Sequence, residues 1–124
     1  MRKKILIALA FICVIGILTM TIAGFYDKGE PDEGYIEYHF RNNALLTEHY
    51  NKHGKEMGFK SKEEYEKAAS DVANSKEALH KKEKEDNDDV YYIEATNEFV
   101  IISTDGYIRT YFKPDSGIKY YNKQ

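Results

Sequence analysis

The chain opens with an almost unbroken apolar run over residues 5–26 and only then takes on the short periods of a folded domain. Residues 27–37 contain Lys28-Gly29-Glu30-Pro31-Asp32-Glu33 and read as a polar tether with breaker residues. Residues 35–40 alternate briefly, as a short strand or as the entry to a helix. Leu45, Leu46, His49, Tyr50 and His53 recur at helical spacing, which predicts a first helix from near Asn43 with Gly54 as its left-handed cap. Ser61-Lys62-Glu63-Glu64 is a capping box that starts a second helix at Lys62, with Tyr65, Ala68, Ala69 and Val72 on its apolar side. Ser75 is placed to cap a last short helix through Ala78, Leu79 and Lys82.

Beyond residue 88 the period changes to two. Strands are predicted near residues 89–94, 98–104, 107–112 and 118–121, with turns at Thr104-Asp105-Gly106 and Asp115-Ser116-Gly117. Alternation puts Ile108, Thr110 and Phe112 on one face, and Tyr107, Arg109, Tyr111 and Lys113 on the other. Helices first and strands last predict an α+β domain, N-terminal helices packed on a C-terminal antiparallel sheet, over residues 38–124.

Ahead of the apolar run stands Met1-Arg2-Lys3-Lys4, a basic start that should stay cytoplasmic while the rest crosses. Residues 1–26 are therefore expected to be either a cleaved signal peptide, with Thr21-Ile22-Ala23 as a cleavage option, or an uncleaved transmembrane anchor through residues 5–26. Either way the domain is extracytoplasmic. Cys13 is the one cysteine and lies inside the run, preceded by Ile12 in place of the small residue a lipoprotein site needs. No disulfide partner is thus available to the domain.

The chain has 124 residues, 21 acidic and 18 basic. Three of the basic ones precede the run, which leaves the remainder at about −6 and argues against unspecific adhesion to nucleic acid. Much of the negative charge sits in residues 84–89, read as a solvated loop; it lacks the glycine and closing glutamate of a calcium site. The eleven tyrosines suit a small sheet whose rings bury carbon and keep hydroxyls wet, or a platform for stacking bases.

The candidate chemistry lies in residues 49–59, HYNKHGKEMGF. His49 and His53 stand one turn apart, and a helix end favours an imidazole working as general acid or base. As a zinc pair they lack the Glu after His49 that zinc proteases carry, and would need His39 or His80 close by. Lys52, Lys55, Lys60, Lys62, Arg109 and Lys113 can line a local basic cleft.

Lys52-His53-Gly54-Lys55-Glu56-Met57-Gly58 resembles the KH-x-x-E/D-F-G helix end of the colicin D-like branch of the barnase/EndoU/colicin/RelE-type ribonuclease toxins, which also occurs in phage-associated domains. Residues 97–102, Gly106 and then Arg109-Thr110-Tyr111-Phe112-Lys113-Pro114 match the strand–turn–strand that follows in that family. Methionine stands at Met57 where the family has an aromatic. The resemblance implies a metal-independent endoribonuclease without cofactor, acting on tRNA or other RNA by attack of the ribose 2′-hydroxyl, with an immunity protein as partner. It makes His53 catalytic with Lys52 beside it, and carries the family's serine to Thr110 and its aromatic to Phe112. His53, Lys52 and Thr110 are then the catalytic residues, Lys55, His49, Arg109 and Phe112 the substrate-binding ones, and no residue is expected to hold a metal. The alternative is a non-catalytic extracytoplasmic binding domain of the same fold.

Overall fold

Asn42 begins the ordered helical part: its side chain accepts the Leu45 N–H at 2.9 Å and caps α1, Asn43–His49. This is a computed structural model that describes residues 34–124, of which 35–124 form one compact unit. The apolar run and residues 27–33 of the tether lie outside the described residues. Among the described residues no helix is long and apolar enough to cross a membrane.

After α1 the chain does not stop but widens into a π-helical turn, Tyr50–Gly54. Gly54 is no left-handed cap, contrary to expectation; the left-handed glycine is Gly58, at φ 94°. The reason for glycine at 54 is proximity. A Cβ there would lie 2.5 Å from Tyr50 Cδ2 and 2.8 Å from Tyr65 Cδ1, so its absence lets both rings close on the turn.

Helix α2, Lys62–Asn74, starts as the capping box predicts, with Ser61 Oγ accepting the Glu64 N–H at 3.1 Å. Its outer side receives residues 35–40 as an extended strap. Asn74, Ser70 and Glu66, four residues apart on one face, bond the backbone of Ile36, Tyr38 and Phe40 in turn. Residues 35–37, read as the end of the tether, thus belong to the packed domain.

The sheet is an antiparallel meander in the order β1 (Leu79–Lys82), β2 (Asp89–Ile93), β3 (Glu98–Ile102), β4 (Ile108–Phe112). Two predictions fail here. Ala78, Leu79 and Lys82 are not helical; Leu79–Lys82 is an edge strand, mostly exposed, paired to β2 from Leu79↔Tyr92 to Lys82↔Asp89. Four residues carry too little period to decide their own state, and the β2 edge decides it. Conversely, residues 118–121 do not add a strand after β4. The outer edge of β4 is already taken, since Ile108 N–H donates to the His39 carbonyl and Phe40 bridges Ile108. The chain turns at Gly117 (φ 57°) into α3, Ile118–Asn122, one short turn of helix lying on the sheet.

Two apolar clusters follow from this layering. On one face Phe40, Leu46, Tyr65, Ala69 and Val72 pack with Val100, Ile102, Ile108 and Tyr111. On the other, Val90, Tyr92 and Phe99 meet Tyr121, with Ile101, Phe112 and Tyr120 at the margin. Both faces of the sheet are covered, where the sequence pattern had suggested one.

Candidate active site

The site grows from an irregularity in β4. Ile102 pairs Ile108 and Ile101 pairs Thr110, so Arg109 is the extra residue of a β-bulge. The bulge breaks the alternation read from sequence. Ile108 now shares the helix-covered face with Tyr111, while Thr110 and Phe112 fall on the opposite side. Thr110, expected on one face with Ile108, instead lines a recess of about 290 Å³ with Ile101, Arg109 and Gln124.

The π-helical turn that continues α1 packs against β4; His49 ends α1 and His53 lies in the turn. Their ring centroids are 6.2 Å apart. His53 is half-buried and stacked on Phe112, centroids 5.1 Å apart and planes 26° from parallel. Around it a pocket of about 450 Å³ gathers Glu56, Met57, Asn97, Lys113 and Asp115. Burial, then the neighbouring Lys52 and His49, push the His53 pKa below its usual value, against a smaller opposite pull from Glu56. His53 is therefore a neutral imidazole at pH 7, the form a general base requires.

His49 faces elsewhere. Its ring lies 5.1 Å from Phe40 and lines a separate pocket of about 620 Å³ with Arg41, Asp86, Asp88, Asp105 and Arg109. Its Nδ1 is sealed and has no hydrogen-bond partner. Burial lowers its pKa too. Arg109 stands with His49, not with His53, and is held by Asp88 at 2.5 Å and Asp86 at 3.4 Å. The Asp88 side chain is only 4% exposed, so the loop read as solvated turns one carboxylate inward. Lys52 and Lys55 are exposed; the Lys55 ammonium lies 5.8 Å from the Tyr50 ring centre.

The structure thus brings His53 and Phe112 together, joins His49 to Arg109 in a second pocket, and leaves Thr110 outside both. Lys113 and Asn97 were not singled out as substrate-binding residues, yet both line the His53 pocket. Asn97 adopts φ 58° and braces the strand ends, accepting from Tyr92 OH and donating to the Pro114 carbonyl. A non-glycine residue in that conformation was a signal only the backbone could give.

The metal readings meet occupied partners. His39 is bonded to Glu66 and His80 to Asp89, neither beside the His49–His53 pair. Carboxylate oxygens of Glu83, Asp86 and Asp88 come within 4.8 Å of one another, and the Arg109 guanidinium bonds two of the three.

No family model matches the chain, and no curated protein matches it. Among solved structures it is similar to a ribonuclease from Escherichia coli complexed with its inhibitor protein, at 21% identity and a TM-score of 0.50. The match covers 62% of this chain and 95% of that one. The chain has a ribonuclease-like fold.

Proposed function

We propose that this protein is an endoribonuclease of the colicin D-like kind, independent of metal, exported or tethered outside the cytoplasmic membrane by its apolar run, and acting on tRNA or other RNA. The observation that carries the reading is His53, stacked on Phe112 and sharing its pocket with Lys113 on a ribonuclease-like fold. In the reaction His53 takes the proton of a ribose 2′-hydroxyl as that oxygen attacks phosphorus. The bond to the 5′-oxygen breaks, a 2′,3′-cyclic phosphate forms, and the imidazolium returns its proton to the leaving oxygen. Lys113, with Lys52 from the neighbouring position, offsets the charge that grows on the phosphoryl oxygens. Phe112 supports the imidazole and offers its ring face to a base.

Lys55 adds a further exposed cation two residues after His53, while Thr110 lies outside the His53 pocket. An inhibitor protein that covers the His53 pocket would serve as the immunity partner of the producing cell.

Cleavage of total tRNA by the purified protein, with and without a chelator, tests the reading. His53→Ala is expected to lose about a hundredfold or more, the usual worth of a general acid or base. Undiminished cleavage by that variant, or arrest by the chelator alone, would overturn it. Absence of any cleavage by the parent would leave the same fold as a binding domain.

A further inference from the structure

The larger pocket, one helical turn from His53, takes no part in the chemistry above. Its floor is apolar, formed by Phe40 and Ile108, with the His49 ring beside them. His49 Nδ1 is sealed off without a partner, which leaves Nε2 as the ring atom able to meet a ligand. The walls are two guanidiniums that are already neutralised. Arg41 bonds both oxygens of Asp105, at 3.0 and 2.8 Å, and lies 4.4 Å above the Tyr107 ring centre. Arg109, turned out of the strand by the bulge, is held by the buried Asp88 and by Asp86.

Both guanidiniums are already paired to carboxylates, which makes this a poor place for a phosphate. Its volume of about 620 Å³ and apolar floor suit a flat, neutral ring with polar edges. Carboxylate oxygens accept from exocyclic amino groups. Asp86 is the most exposed of the three and meets Arg109 through one oxygen, which leaves the other for a ligand.

We infer that this pocket is a nucleobase subsite that receives an amino-bearing base, cytosine, adenine or guanine in preference to uracil, from the nucleotide next to the one cleaved at His53. This rests on the proposed function for its place in the substrate. The 6.2 Å between the two imidazoles is a distance that one nucleotide of an extended strand can bridge. Selection comes from the amino group meeting Asp86 and from the ring edge meeting His49 Nε2. The base lies over Phe40 and Ile108.

The test is a titration of the full-length protein with cytidine and with uridine, read by NMR at the Cε1–H signals of His49 and His53. Cytidine should shift His49 and spare His53, and uridine should bind about tenfold more weakly, the worth of one lost hydrogen bond. Leu45→Trp, which fills the pocket, should abolish the shift. Asp86→Asn, an exposed change that leaves the fold alone, should bring the two affinities together. A response at His53 alone, equal binding of the two nucleosides, or no response in the parent would overturn the inference. Cleavage assays with His53→Ala separate the two readings. A protein that cleaves RNA through His53 but shows no response at His49 loses only the subsite. One that binds cytidine at His49 but cleaves nothing loses only the ribonuclease.

Discussion

His49 and His53 are four residues apart, are both lowered in pKa by burial, and do different things because of what each ring touches. His53 rests on Phe112 with its pocket open beside it; His49 is wedged against Phe40 with one nitrogen cut off. Lys113→Ala is expected to slow RNA cleavage by at least about tenfold without moving the melting temperature, since it is exposed and acts on charge in the transition state. Equal rates would remove it from the site. Stability carries a pH signature as well. A histidine whose folded pKa lies below the unfolded value of about 6.5 contributes fully above that pH, and loses the contribution as pH falls towards and through the folded value. His39, raised by its bond to Glu66, has the opposite sign: its contribution is full below about pH 6.5 and fades as pH rises through the folded value. Melting curves between pH 7 and pH 5 should therefore show a smaller acid loss for His49→Phe than for the parent. Parallel losses would refute the assignment.

At the scale of elements, the π-helical turn sets where His53 points, and Gly54 makes the turn. Tyr50 is fixed by its bond to the Phe59 carbonyl and Tyr65 by its bond to the Tyr111 carbonyl, so neither ring can yield to a methyl group. Gly54→Ala is expected to cost about 1–3 kcal/mol by overpacking and to reduce any His53-dependent activity with it. Chemical denaturation reads the first effect and RNA cleavage the second; a neutral substitution would show that the turn relaxes freely. The capping box gives a milder counterpart, with Ser61→Ala expected to cost about 1 kcal/mol. The bulge acts at the same scale, since one unpaired residue moves Thr110 and Phe112 away from the face of Ile108 and frees Arg109 to line the larger pocket.

For the whole molecule, part of the acidic balance of the domain is neutralised internally: Asp86, Asp88 and Asp105 are tied to Arg109 and Arg41 at the larger pocket, while Lys113 stands at the His53 pocket beside Glu56 and Asp115. The export reading belongs here too. A reporter joined after Gln124 is expected to be active only on the outer side of the cytoplasmic membrane, because the basic start should remain inside. Reporter activity confined to the cytoplasm would reverse the topology and bring the domain into contact with its producer's own RNA.

Those features that depend on a few adjacent residues were legible from the sequence alone. The capping box at Ser61, the apolar stripe of Tyr65, Ala69 and Val72, and the strands through Tyr91, Val100 and Tyr111 are local in origin, and together they specify an α+β domain. The helix carrying His49 and His53 was legible for the same reason. Tertiary structure decided what no short window contains. Leu79–Lys82 became a strand because β2 offered an edge, and Ile118–Asn122 became a helix because the strap had taken the free edge of β4. The bulge at Arg109, set by pairing with β3, chose which side chains share a pocket with which histidine, since a single extra residue exchanges the two faces of a strand.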